Sequence, residues 1–172
     1  MNAIPISGID QTARPFFIEP DDYVPIAFRS YAPLLGGVRD VRLGNLTTDL
    51  LELTLGLDSN TLRGFTLICF KAVHEFGQTG PSPEEPGLPV LELDEVRFVG
   101  PLATQRIDLP MTFSVGFGDD CVEINFGMLS AADRAFVCGP VKFLVNKDSL
   151  LGIQVLGLTR EQLKKIRNMR SS

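Results

Sequence analysis

A hairpin pattern that occurs twice is the feature that most constrains how this chain can fold. In both copies an alternating apolar strand leads through a polar turn into Leu-x-Gly and a second apolar strand. The copies run over residues 48–72 and 141–156. Alternation with period two places one face of each strand on a core. Gly64 and Gly152 relax the backbone after the turn, where a β-bulge or tight twist is expected.

The rest of the chain is also dominated by strand patterns. Residues 1–36 are rich in proline, which favours short extended segments over long helices. Residues 78–89 combine proline and glycine and predict a surface loop, and residues 130–133 predict one helical turn. Further strands are predicted at 16–18, 23–28, 38–43, 90–99, 104–109, 111–117, 121–126 and 134–138.

Only the end of the chain has a helical pattern. Thr159 followed by Gln162 fits a capping box, and Leu163, Ile166 and Met169 recur at three-residue spacing. The sequence therefore predicts an α+β protein, predominantly antiparallel β, with two related hairpins and a C-terminal helix. We expect one domain over 1–172, with a proline-rich segment at 1–36, a sheet body at 37–158 and the helix at 159–172.

Composition narrows the class of protein. At 172 residues, with 44% hydrophobic residues, the chain can bury a core that is stable without disulfides or a structural metal ion. It contains no apolar run of the roughly 18 residues that a spanning helix needs, and no leader pattern at Met1.

Cys69, Cys121 and Cys138 lie in apolar patterns and are expected to be reduced thiols, so we expect a cytoplasmic protein. The sole histidine, His74, has no neighbouring cysteine, and neither metal nor cofactor is predicted.

Charge is distributed unevenly along the chain. The helix at 159–172 carries five cations and one acid, a net +4, which leaves −9 for the rest of a chain of net charge −5. Such a surface repels nucleic acid and attracts basic partners. The expected partner-binding acids are Glu84, Glu85, Glu92, Asp94, Glu95, Asp119 and Asp120, with Glu52 and Thr54 on the outward face of the first hairpin.

A catalytic alternative stays open. Asp119, Asp120 and Glu123 share one hairpin and could act as paired acid and base, and His74 stands beside Glu75. These groups would suit a small-molecule hydrolase or a ligand-binding sheet domain. A phosphate loop is not predicted, because Gly116-x-Gly118 lacks the helix that should follow it.

One region resembles a known class of proteins. The segments that carry the resemblance are Leu43-Gly44-Asn45, Asp49-Leu50-Leu51-Glu52-Leu53 and Leu62-Arg63-Gly64-Phe65-Thr66-Leu67. They are similar to a segment of small bacterial immunity proteins that neutralise contact-dependent or other polymorphic toxins. The resemblance implies a non-catalytic cytoplasmic protein that occludes a cognate, commonly cationic, toxin domain, and it implies no fixed set of binding residues.

Overall fold

The computed structural model describes residues 3–12, 16–19, 27–30, 37–76, 83–93 and 105–170. Within these residues a short 3₁₀-helix covers Leu129–Ala131, and the α-helix α1 covers Arg160–Asn168. The strands are β1 (Ile4–Asp10), β2 (Phe16–Glu19), β3 (Ala27–Ser30), β4 (Val38–Gly44), β5 (Leu50–Gly56), β6 (Leu62–Cys69), β7 (Val73–His74), β8 (Glu84–Pro86), β9 (Leu88–Leu91), β10 (Arg106–Leu109), β11 (Ser114–Phe117), β12 (Val122–Asn125), β13 (Arg134–Cys138), β14 (Val141–Asn146) and β15 (Ser149–Val155).

The strands form two mixed sheets. One has the order β10-β4-β5-β6-β3-β2, and the other has the order β7-β11-β12-β15-β14-β13-β8, with β1 pairing to β15 and β9. Most neighbours are antiparallel, but β10–β4, β7–β11 and β8–β13 are parallel. The prediction of a mostly β protein with a C-terminal helix is confirmed, and the sheets are mixed rather than purely antiparallel.

The two predicted hairpins are confirmed, and each lies in a different sheet. Hairpin β5–β6 belongs to the first sheet and β14–β15 to the second. Around them the strand order is the same, because β4-β5-β6-β3-β2 corresponds position by position to β13-β14-β15-β12-β11. The repeat seen in the sequence is therefore part of a larger structural repeat of five strands.

Each hairpin contains a bulge beside its glycine. The register shifts by one residue at Arg63, next to Gly64, and at Leu151, next to Gly152. Each of these two residues is left without a partner in the pairing of its hairpin strands. A Cβ atom at Gly64 would lie 2.7 Å from the backbone oxygen of Phe28 on β3, and one at Gly152 would lie 2.8 Å from that of Ile124 on β12. Glycine is required at both positions because the neighbouring strand approaches too closely for a side chain.

The core lies between the two sheets and under the helix. A cavity of about 10 Å³ is lined by side chains from all three, including Leu67, Val155 and Ile166. Helix α1 buries Leu163 and Ile166 and begins at the predicted capping box, in which Gln162 N donates to Thr159 Oγ1 at 3.2 Å. The helix therefore packs where the two sheets meet, and the predicted apolar face of Leu163, Ile166 and Met169 contacts the core.

The prediction of a loop at 78–89 is wrong in its second half. Residues 84–86 form β8, and β9 begins at Leu88. Strand β8 lies at the edge of its sheet, where a missing N–H is tolerated at Pro86, so local composition hid a strand that depends on its partner β13.

Other element boundaries differ from the predictions at their ends. Strand β9 ends at Leu91, well before the predicted end at 99, and the predicted strand at 111–117 begins only at Ser114. Strand β2 lies at the end of the described order of its sheet, whereas β3 lies inside the sheet between β2 and β6. Most of the predicted strand at 23–28 and residues 94–99 lie outside the described residues.

Among the residues that the structure describes, no helix is both long enough and apolar enough to cross a membrane.

We expect Gly64→Ala and Gly152→Ala each to lower the free energy of unfolding by about 1–3 kcal/mol, because the added methyl group meets a backbone oxygen that cannot move freely. Urea unfolding measures the loss. Gly8→Ala in β1 is the matched control, because no heavy atom lies within 4 Å of its Cβ position, and its effect should stay within about 0.5 kcal/mol. Equal losses in all three variants would contradict the close-approach argument.

Candidate functional site

A polar network lies on the outward face of the second sheet. On β11, β12 and β15 the core-facing side chains alternate with residues that face the other way. One cross-strand row on that outward face holds His74, Gly116, Glu123 and Gln154, which are paired in this order across four adjacent strands. Strand register therefore brings together residues that are far apart in the sequence.

Short hydrogen bonds connect the members of this network. His74 Nε2 lies 2.8 Å from Glu123 Oε1, and His74 Nδ1 lies 2.9 Å from Ser114 Oγ. Gln154 Nε2 donates to the second carboxylate oxygen of Glu123 at 2.6 Å. Glu123 is fully buried, whereas 23% of the His74 side chain is exposed. Both oxygens of a buried carboxylate are thus satisfied, which offsets much of the cost of removing it from water.

Gly116 is what allows His74 to reach Glu123. Strand β11 lies between β7 and β12, so the imidazole must cross the backbone of β11. A Cβ atom at Gly116 would lie 2.6 Å from His74 Nε2. The absent side chain makes room for the ring.

The network orients the imidazole. An ionised carboxylate only accepts hydrogen bonds, so the proton on the ring belongs on Nε2, facing Glu123. The lone pair of Nδ1 then accepts the hydroxyl proton of Ser114. A hydroxyl, an imidazole and a carboxylate are thus arranged in series, which is the order that general-base activation of a hydroxyl requires.

Ser114 also borders an open depression of about 290 Å³. The described residues that line it besides Ser114 are all uncharged: Ala72, Thr112, Phe113, Asn125, Phe126 and Gly127. Ser114, at one end of the network, therefore borders space for a small molecule, while Glu123 is buried.

The predicted pairing of His74 with Glu75 is corrected by this geometry. Glu75 follows His74 at the end of β7, whereas the imidazole bonds to Glu123, 49 positions along the chain. The alternative cluster of Asp119, Asp120 and Glu123 does not form either, because the two aspartates are exposed in the β11–β12 turn and Glu123 is buried. Glu123 belongs to the site with other partners than the sequence indicated.

The predicted partner-binding acids do not form one patch. Glu84 and Glu85 are exposed on β8 at one edge of the second sheet, and Asp119 and Asp120 lie in the turn before β12. Four strand spacings separate β8 from β12, roughly 19 Å at ~4.8 Å each. Glu92 is exposed after β9, and Asp94 and Glu95 lie outside the described residues.

Glu84 and Glu85 also have a role in the fold. Lys142 Nζ donates to Glu84 Oε1 across the sheet edge. A charged strand that contains Pro86 is poorly suited to pairing with another chain, so β8 protects the edge from edge-to-edge association. The sequence does not indicate this role, because the prolines and glycines around these residues predict a loop.

A second polar surface covers the outward face of the first sheet. A groove of about 240 Å³ there is lined by Arg29, Val38, Asp40, Glu52, Thr54, Arg63 and Gly64. Burial raises the pKa of Glu52, and the neighbouring Asp40 raises it further. Nearby, the two-point hydrogen bond from Arg42 holds the pKa of Asp108 below its ordinary value. Glu52 and Thr54 thus face outward as predicted, within a surface of mixed charge.

All three cysteines lie within the described residues, and none of them forms a disulfide. Cys121 and Cys138 are buried and Cys69 is half-buried, in keeping with their apolar sequence patterns. Burial raises the pKa of the Cys121 thiol, and Asp120 adds to the effect, so Cys121 is held as the unreactive thiol.

Comparison with known proteins adds no assignment. Neither a protein-family model nor a curated protein matches this chain.

We expect Glu52→Gln to stabilise the protein relative to wild type at neutral pH. A raised pKa in the folded state means that wild type loses stability as pH rises from about 4.3, the value for an unfolded chain, through the folded-state value. Glutamine has no such loss, so the difference in unfolding free energy between Glu52→Gln and wild type should grow over this range.

Asp108→Asn is the companion variant, with the opposite sign. Because the folded-state pKa of Asp108 is lowered, its stabilising effect is present above about pH 3.9 and is lost as pH falls through the folded-state value. Asp108→Asn should therefore destabilise the protein at neutral pH and approach wild type in acid. Urea unfolding across pH measures both variants, and differences of the same sign would contradict these assignments.

Proposed function

We propose that this protein binds and neutralises a basic protein partner, as immunity proteins of polymorphic toxin systems do. The observation that supports the proposal is that Glu85, Glu92, Asp119 and Asp120 are exposed on a chain body with a net charge of −9. Acidic side chains on a rigid sheet speed the capture of a cationic partner and orient it. The resemblance of 43–67 to immunity proteins points to the same class of partner.

Distance divides this acidic surface into two candidate docking regions. One is the β8–β9 segment, with Glu85 and Glu92, and the other is the turn with Asp119 and Asp120. Strands β8 and β12, at which Glu85 and the Asp119–Asp120 turn lie, are roughly 19 Å apart across the sheet, which exceeds the screening length of about 8 Å at physiological salt. Each region therefore acts on a partner separately, and the two can be tested by separate variants.

An adjacent gene for a large secreted protein with a variable C-terminal domain is expected for such a system, and co-expression with that domain tests the proposal. We expect the chain to restore growth and to be captured with that domain in a pull-down. Association should weaken as salt is raised, because screening reduces the attraction between exposed charges. Failure to restore growth or to bind that domain would contradict the proposal.

Charge reversal locates the docking region. We expect either Glu85→Lys with Glu92→Lys, or Asp119→Lys with Asp120→Lys, to lower the association rate at least about 10-fold and to reduce its salt dependence. Glu84 is left unchanged because it pairs with Lys142.

The control is Asp58→Lys with Glu161→Lys, which changes the net charge by the same amount at exposed positions that neither docking variant alters. It should retain most of the association rate. Equal effects of all three double variants would indicate a response to net charge alone and would reject a defined docking region.

A further inference from the structure

We propose that Ser114, His74 and Glu123 form a nucleophilic site that hydrolyses small, uncharged carboxylic esters. This inference goes beyond the binding function proposed above and does not rest on it. It rests on the hydrogen-bonded series of hydroxyl, imidazole and carboxylate, together with the depression beside the hydroxyl.

The three groups have the order that acyl transfer requires. Ser114 Oγ lies 2.9 Å from a ring nitrogen of His74, within reach for proton transfer. The other ring nitrogen lies 2.8 Å from Glu123, which holds the tautomer and stabilises the imidazolium that forms. Ser114 and His74 are the catalytic residues, and Glu123 acts through His74 as a positioning residue.

The positions of the groups relative to solvent also fit this role. Glu123 is fully buried, so its interaction with the imidazolium is weakly screened, and Gln154 holds its second oxygen at 2.6 Å. His74 is partly exposed, and Ser114 lines the depression. A hydrogen-bond network with a purely structural role needs no such opening beside Ser114.

The depression indicates the class of substrate. Its volume of about 290 Å³ is at the lower end for a small-molecule site. Phe113 and Phe126 border it from the core, and none of the described residues that line the depression is charged. Short neutral acyl esters therefore fit better than phosphorylated or charged substrates.

The reaction balances without any further reagent. Ser114 Oγ bonds to the ester carbonyl carbon while its proton moves to His74 Nδ1, and the bond to the leaving alkoxide then breaks as that oxygen takes the proton. In the second half, water attacks the acyl-enzyme, gives a proton to His74, and the carbon–Oγ bond breaks as Oγ recovers it. Ester and water become acid and alcohol.

The first test treats the purified full-length protein with a fluorophosphonate probe and with p-nitrophenyl acetate. We expect the probe to label Ser114, as located by peptide mass, and p-nitrophenolate to be released catalytically. Ser114→Ala should abolish both signals, and Ser149→Ala, a half-buried serine on β15, should retain both. Absence of labelling and turnover in wild type, or labelling at another residue only, would overturn the proposal.

The second test separates catalysis from structure. His74→Ala should lower turnover about 100-fold or more, and added imidazole should restore part of it, because it can occupy the space that the ring leaves. Glu123→Gln should lower kcat with little change in KM, because a neutral amide stabilises the imidazolium of the transition state less than a carboxylate does. Undiminished turnover in His74→Ala would overturn the proposal. This result is decisive even if Ser114→Ala fails to fold, because labelling and turnover of the wild type are measured separately.

Discussion

The structure depends on the close approach of neighbouring strands at glycine. In each sheet a bulged hairpin contacts a third strand whose carbonyl group lies where a side chain would stand, at Gly64 and at Gly152. The second contact sets β12 against β15 and thereby fixes Glu123 opposite Gln154. Gly116 also allows a close approach, but its neighbour is a side chain and not a backbone. The missing Cβ leaves room for the imidazole of His74. The polar network is thus a consequence of the same constraint that shapes the sheets.

The two halves share one strand order, but the outward faces of their sheets differ. The outward face of the first sheet carries ion pairs such as Arg42–Asp108, whereas that of the second buries a carboxylate beneath an imidazole. Core-facing positions are mostly apolar in both sheets, with the buried Arg39 on β4, which donates to Asn60, as a charged exception. The outward faces differ, and the candidate sites lie on them.

Local patterns in the sequence are sufficient for the hairpins and for the capping box at Thr159. They are insufficient for β8 and for the site. Strand β8 has no pattern of its own and exists because β13 pairs with it. His74 meets Glu123 because the two-residue strand β7 pairs in parallel with β11, a long-range contact with no local signature. Gly116 stood out only as part of an incomplete phosphate loop, although its role is to leave space.

The tautomer of His74 tests the account most directly, and the chain contains a single histidine, so the spectrum is unambiguous. In ¹⁵N-labelled protein, at a pH where the imidazole is neutral, two-bond ¹H–¹⁵N correlations distinguish a protonated from an unprotonated ring nitrogen. The account predicts one tautomer, with the proton on Nε2 facing Glu123 and an unprotonated Nδ1 beside Ser114. A proton on Nδ1, or the averaged shifts of a freely exchanging ring, would contradict it.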